Sequence, residues 1–478
     1  MSTFRKFNKT KLIATIGPAS CDHDMLESLI LSGVDVCRIN FSHGTHADHE
    51  KVIKNIRSIS KKHELPIAIM ADLQGPKIRL GEIENNKITI HSGNEIILTS
   101  TEVLGTAERL HVTYPELTQD IDCNHRILLD DGKIELQCME RIDQDELRCK
   151  IIYGGIVSSR KGVNLPDTNI SQPSLTKKDF ADLIFALSCD VEWVALSFVR
   201  EASDIVHLKQ IIKEKKKHTK VIAKIEKPEA LECIQDIVQA SDAIMVARGD
   251  LGVELPVERL PFIQKDLVSL CISQSKPVII ATHIMESMIE HPTPTRAEVN
   301  DVVNAMIDGA DALMLSAETA SGKYPLKTVE MIIKIISEVE DRNMIYNRNL
   351  SPNPNSVTFL SDAICYNACK IATDVGAHAI IGMTRSGYTA FMTSSYRPKA
   401  HIFIFTDKPS VLNTMNLLFG VRAYYYDKFV GTDETIFDLH EILRIKGLVT
   451  KGDILINLAS MPIKDEGRTN MLKITRIQ

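Results

Sequence analysis

Short apolar runs alternate with amphipathic segments from the start of the chain. The runs 12–16, 34–41, 67–73, 193–198, 221–226, 243–247, 277–282 and 312–316 read as buried strands. Helical periodicity fills the intervals, as in 24–31, 177–187, 228–239 and 298–307, where Val299, Val302, Val303 and Met306 recur at three- and four-residue steps. Pro228 suits a helix start and Gly309 a helix end. Eight strand–helix units predict an α/β fold built on a closed (β/α)₈ TIM barrel, with its active site at the carboxyl ends of the strands.

One interval breaks this rhythm. Residues 75–173 contain short alternating strands at 87–91, 95–99, 126–129, 134–138 and 146–152, with Asp131-Gly132 as a turn signal. They predict a small β-barrel domain inserted at the catalytic rim, where it can act as a lid that excludes water. Beyond residue 342 the pattern restarts across a polar linker, 349–356. A helix over 357–372 and strands at 379–383, 401–405, 422–426, 454–458 and 471–477 predict an open α/β domain. The expected division is 1–74 and 174–342 for the barrel, 75–173 for the insert and 343–478 for the C-terminal domain.

Composition narrows the possibilities. A chain of 478 residues with net charge −6 and 25% charged residues has no basic field for nucleic acid and no cationic face for membranes. No apolar run reaches membrane-spanning length, and the first residues lack the apolar core of a signal peptide. The ten cysteines form no CxxC pair, which fits reduced thiols and a cytoplasmic location.

Polar residues collect at the predicted strand ends. Residues two apart on a strand point the same way, so Lys224 and Glu226 emerge together, and Asp250 follows the next strand. Two carboxylates beside one ammonium suit Mg²⁺ or Mn²⁺ holding a phosphorylated substrate, or a structural ion-pair network. The second strand brings Arg38, Asn40 and Ser42 to one side; Arg38 suits bidentate phosphate binding or a barrel carboxylate. Asp72, Thr282, Ser316 and Glu318 end other strands. Gly249, in Arg248-Gly249-Asp250, allows backbone amides to approach an anion at a helix start. His43, His46 and His49 fit the solvated first turn of a helix better than a convergent metal site. In the C-terminal domain Thr384, Arg385, Ser386, Gly387 and Thr389 follow a strand and open a helix, which makes either a phosphate nest or a capped helix start.

Taken together these segments resemble the pyruvate kinase family, nearly end to end. The resemblance lies in T-K-L-I-A-T-I-G-P-A-S (10–20), C-R-I-N-F-S-H-G (37–44), A-D-L-Q-G-P-K-I-R (71–79), K-I-E (224–226), M-V-A-R-G-D-L-G-V-E-L-P (245–256), P-T-R-A-E-V-N-D-V-V-N-A (294–305) and D-G-A-D-A-L-M-L-S-A-E-T-A (308–320). It implies phosphoryl transfer from phosphoenolpyruvate to ADP, giving pyruvate and ATP, in a homotetramer with a mobile lid and a regulatory C-terminal domain. It also implies Glu226 and Asp250 as Mg²⁺ ligands, Lys224 beside the transferring phosphoryl group and Arg38 as a phosphate ligand. Gly249, Asp250 and Thr282 fall at the substrate. Asn40, Arg79 and Lys161 match nucleotide- or phosphoryl-holding positions. Thr282 lies where the enolate is protonated, with Ser316 and Glu318 nearby, and a second Mg²⁺ arrives with the nucleotide.

One departure stands out. Potassium-dependent members read D-T-K-G-P-E-I-R where this chain has Leu73 in place of the threonine and Lys77 in place of the glutamate. Asn40, Ser42 and Asp72, similar to potassium ligands, remain. The Lys77 ammonium then supplies the monovalent charge, and K⁺ is not required. The T-R-S-G-Y-T loop resembles the family's effector-phosphate loop. The 461–470 loop lacks the tryptophan of some bisphosphate-regulated members, which favours a sugar monophosphate or AMP. Two rival readings are a Mg²⁺-dependent barrel lyase or aldolase acting on pyruvate enolate, and a catalytically silent metabolite sensor.

Overall fold

The eight apolar runs pair edge to edge into a closed parallel barrel: β1 (Lys11–Ile16), β2 (Val36–Asn40), β3 (Ala68–Asp72), β4 (Trp193–Leu196), β5 (Lys220–Ile225), β6 (Ala243–Ala247), β7 (Val278–Ala281) and β8 (Ala312–Leu315). Each strand pairs with its neighbours in sequence, and β8 closes on β1. The computed structural model describes residues 7–347, 350–428, 431–461 and 468–478.

Alternation along the strands builds two apolar layers. Ile13, Val36, Met70, Trp193, Ile222, Met245, Ile279 and Met314 fill the barrel interior. Leu12, Cys37, Ile69, Val194, Val221, Ile244 and Leu313 face the helices instead. Several helices begin where the sequence supplies a reciprocal cap, such as Thr45 with Asp48 and Thr295 with Glu298. The helix 228–239 divides into Glu229–Glu232 and Ile234–Ala240, because the backbone leaves helical dihedrals at Cys233 (φ −109°, ψ 18°).

The insert is a β domain with its own apolar core. In place of one closed small barrel, the pairing gives a six-stranded sheet and a two-stranded ribbon. Isolated bridges Arg79–Gly162, Leu80–Val112 and Ile83–Gly105 link these pieces. Strands Arg109–His111, Gly155–Ser158 and Val163–Asn164 and helix Leu117–Asp120 lie beyond those expected; none exceeds four residues, too short to show a period.

Both connections to the barrel meet at Asp179, whose carboxylate is fully buried. Its Oδ1 accepts from the Gly75 amide at 3.1 Å on the outgoing connection. Its Oδ2 accepts from the Thr176 amide (3.0 Å) and hydroxyl (2.5 Å) on the returning one. Gly75 has φ +69°, and a Cβ there would lie 2.7 Å from Phe198, so only glycine fits this turn.

The C-terminal domain is a five-stranded sheet in the order Val421–Tyr425, His401–Thr406, Ala379–Met383, Ile454–Ala459, Met471–Arg476, with only the last strand antiparallel. It packs on the amino-terminal end of the barrel. Trp193 Nε1 donates to Thr414 O (3.2 Å), Lys11 Nζ to Val421 O (2.8 Å) and Arg397 Nη2 to Asp311 Oδ2 (2.9 Å). Most of the 461–470 loop lies outside the described residues. No helix among the described residues is long and apolar enough to cross a membrane.

Candidate active site and regulatory pocket

The polar residues that end β3, β4 and β5 converge on Lys224. Its Nζ lies 2.8 Å from Glu226 Oε1 and 3.2 Å from Asp72 Oδ1, and donates to Ser197 Oγ at 2.7 Å. Burial alone would push the Lys224 pKa down. The Asp72 and Glu226 carboxylates outweigh that, and the net displacement is upward, so the ammonium stays charged. Asp72 is itself buried, yet its pKa is held below the usual carboxylate range by Lys224 and Arg38.

Arg38 does what a barrel arginine between two strand ends can do. Nε donates to Asp72 Oδ2 at 2.6 Å, and Nη1 to Thr15 Oγ1 at 2.8 Å. The guanidinium is thereby fixed beside the Lys224 cluster, in the barrel pairing that the sequence left as an alternative. Asn40 lies in register with Asp72, and its Oδ1 accepts from the Ser42 amide at 3.1 Å. Leu73 is buried, and its carbonyl accepts from Ser197 Oγ at 2.7 Å.

Glu226 Oε2 accepts from the Phe198 amide at 2.7 Å. Burial raises its pKa, and the nearby negative charge of Asp250 adds to that rise. Two carboxylates close enough to act on one another, with ammonium groups beside them, offer hard oxygen donors, so this donor set fits Mg²⁺ or Mn²⁺. Asp250 sits in the first turn of the helix Arg248–Glu254. Lys77 Nζ reaches Asp250 Oδ1 at 3.4 Å, so its ammonium stands at this carboxylate.

On the other side of the rim, Thr282 has φ +66°, a strained left-handed conformation for a β-branched residue. Two hydrogen bonds hold its hydroxyl: the Gly249 amide donates to Oγ1 (2.7 Å), and Oγ1 donates to Ala281 O (2.6 Å). Ser316 ends β8, and its amide donates to Glu318 Oε2 at 2.6 Å. Glu318 also accepts from the Met285 amide at 3.1 Å, and burial raises its pKa.

The insert lies down on this rim. Asn164 Nδ2 donates to Glu254 Oε1 at 2.9 Å. A cavity of about 20 Å³ remains between Lys77, Phe198, Arg200, Lys227 and Asp250. Arg79 and Lys161 are engaged within the insert: Arg79 Nη1 donates to Arg160 O (3.1 Å), and Lys161 Nζ pairs with Asp130 Oδ1 (2.8 Å). The three histidines diverge, with His46 on Asp182 (2.7 Å) and His49 buried against the Phe41 ring.

The larger cavity, about 600 Å³, is elsewhere. Thr384, Arg385, Ser386, Gly387 and Thr389 line it. Gly387 adopts φ +87° at the start of helix Tyr388–Ser395, and its amide donates to Thr384 Oγ1 at 3.0 Å. Thr389 pairs with Thr469 at 2.7 Å.

Three participants escaped the sequence reading: Ser197, Lys227 and Glu254. Lys227 and Glu254 form a buried ion pair beneath the rim at 2.8 Å. Lys227 adjoins Glu226 in K-I-E-K, the one local signal that pointed to it.

A lysine flanked by carboxylates at the mouth of a (β/α)₈ barrel, beneath an inserted β domain, suits an enzyme acting on an anionic substrate. Comparison with known proteins makes the assignment specific. Residues 7–329 match the model of the pyruvate kinase barrel domain, and residues 362–475 that of the pyruvate kinase alpha/beta domain. The chain is 39% identical to the pyruvate kinase of Geobacillus stearothermophilus, over 98% of this chain and 80% of that protein. It is 40% identical, with the same coverage, to that of Staphylococcus aureus strain MRSA252. A crystal structure of a pyruvate kinase from Cryptosporidium parvum superposes with TM-score 0.91 at 33% identity, covering 98% of this chain and 96% of that one. The chain belongs to the pyruvate kinase family and is a phosphotransferase. That membership replaces the lyase and silent-sensor readings.

Proposed function

We propose that the chain transfers the phosphoryl group of phosphoenolpyruvate to ADP, as the last step of glycolysis, with the Lys224 cluster as its centre. The observation that carries this reading is the approach of Lys224 to Asp72, Glu226 and Ser197 at once. Phosphoryl transfer needs mainly positioning and neutralised anionic charge. The Lys224 ammonium lies where it can offset charge on the transferring group and on the departing enolate. Arg38, fixed by Asp72 and Thr15, adds a second cation for phosphate oxygens. A divalent cation held by Glu226 and Asp250 would supply Lewis-acid neutralisation of the phosphoryl oxygens. The Thr282 hydroxyl, held between the Gly249 amide and the Ala281 carbonyl, is assigned to the enolate face, with Ser316 and Glu318 nearby for proton delivery. Asn40, Arg79 and Lys161 serve the nucleotide, the last two moving with the lid.

Lys77 takes over the charge of the monovalent cation whose ligands Asn40, Ser42, Asp72 and Leu73 resemble; the structure sets its ammonium at Asp250, 3.4 Å away, and not on those residues. The proposed assembly is a homotetramer, and the proposed location cytoplasmic. The Thr384–Thr389 loop holds the phosphate of an activating small molecule, which the sequence favours as a sugar monophosphate or AMP. The deciding experiment follows pyruvate formation from phosphoenolpyruvate through lactate dehydrogenase, with ADP and Mg²⁺ present or omitted. Pyruvate formation independent of ADP would refute the proposal.

A further inference from the structure

The effector cavity is not confined to the C-terminal domain. Its wall includes His218 and Lys220 of the barrel, opposite Arg385, Lys408 and Arg468. Lys220 is the first residue of β5, the strand that carries Lys224 at its far end. A second, open groove of about 580 Å³ adjoins the cavity and shares His218 and Lys220 with it. Lys209, Lys213, Lys216 and Lys217 line that groove, with Asp242 as the single acid. Asp242 pairs with Lys209 at 3.0 Å and with Lys220 at 3.2 Å, and Asp190 with Lys217 at 2.6 Å, so five lysines face two carboxylates. Such an excess of cations at the mouth of a cavity is an attraction for a second anionic group.

The geometry points to an effector site shared between the two domains. His218 and Lys220 bind a second anionic group of a ligand whose first phosphate sits in the Thr384–Thr389 nest. This deepens the regulatory reading above, and rests on it. It also changes the ligand class: an anionic group at each end, where the missing loop tryptophan favoured a single phosphate. A ligand held in this way bridges the regulatory domain to the foot of the catalytic strand β5. Binding at Lys220 then competes with Asp242 for the same ammonium, which gives the ligand a direct mechanical hold on that strand.

The test is calorimetry on the full-length protein with fructose 1,6-bisphosphate as the two-ended probe and ribose 5-phosphate as the one-ended probe. Wild type should bind the two-ended probe more tightly. His218→Gln with Lys220→Met should weaken that probe about five- to tenfold and leave ribose 5-phosphate within about twofold. Lys220→Arg should retain the affinity, which separates charge from folding. His218 is exposed, so His218→Gln alone gives a variant that keeps the fold and should show part of the loss. Equal affinities of wild type for the two probes, or an unchanged two-ended affinity in the double variant, would overturn the shared site. Ser386→Ala with Thr384→Val separately reports on the nest: it should weaken both probes, and no effect on either would remove the phosphate reading itself.

Discussion

Lys227 and Glu254 form a buried ion pair that ties together the two segments bearing Glu226 and Asp250. The ammonium lies 2.8 and 2.9 Å from the two carboxylate oxygens, and both residues are at most 5% exposed. Lys227 directly follows Glu226, and Glu254 closes the helix whose first turn carries Asp250. Removing one partner leaves a desolvated charge, which costs about 3–5 kcal/mol. Lys227→Met should therefore lower the thermal midpoint markedly, while Lys227→Met/Glu254→Leu recovers much of it. The catalytic rate should stay low in both, because the two carboxylate-bearing segments lose their register. Thermal melts with initial rates on the same samples check this, and full recovery of rate in the double variant would contradict it.

Lys224→Met keeps the length of the side chain and deletes its charge. Turnover should fall by about three orders of magnitude or more. Two carboxylates that now face each other without an ammonium should also bind Mn²⁺ with altered affinity, measurable by electron paramagnetic resonance. Turnover within tenfold of wild type would contradict the role given to Lys224.

Lys77→Glu replaces an ammonium with a carboxylate beside Asp250. Wild type should show no saturable response to K⁺ in sodium-free, Mg²⁺-saturated assays, whereas the variant should require K⁺. Initial-rate titrations with KCl against tetramethylammonium chloride decide the matter. K⁺ activation of the wild type would refute the stand-in role of Lys77.

Glu340 accepts from the Lys9 and Thr10 amides at 2.8 Å each, where the barrel meets the C-terminal domain. Burial pushes its pKa up from 4.5 to about 7. Between those values the folded protein keeps a proton that the unfolded chain has released. The resulting stability is complete below the unfolded value and is lost as pH rises through the folded one. Glu340→Gln should flatten the decline in thermal midpoint from pH 5 to pH 7. A slope identical to wild type would show that another group sets it. Lys9, pushed down to about 8 by burial, titrates above that window.

The barrel could be read from the chain because each strand is a continuous apolar run, buried on both faces, with a polar group where it ends. Lys224, Glu226 and Asp250 followed directly from that arithmetic. Ser197 did not: it is one of many serines, and only the closure of β3, β4 and β5 brings it to Lys224. The Lys227–Glu254 pair joins residues 27 positions apart across two helices and a strand, a separation no local period encodes. In the insert, strands of two to four residues were invisible for want of length. The barrel side of the large cavity was hidden because His218 and Lys220 belong to a different domain from the loop that suggested a phosphate.

The Asp179 carboxylate grips both chain crossings between barrel and insert, and this limits how the insert can travel. Bending either crossing alone would strip a buried carboxylate of part of its hydrogen bonding, which is costly. The cheapest path leaves both grips intact and swings the whole insert about that point, like a door on one pin. Any swing that spares both grips must still break the Asn164–Glu254 hydrogen bond, which pins the insert at one end of that arc.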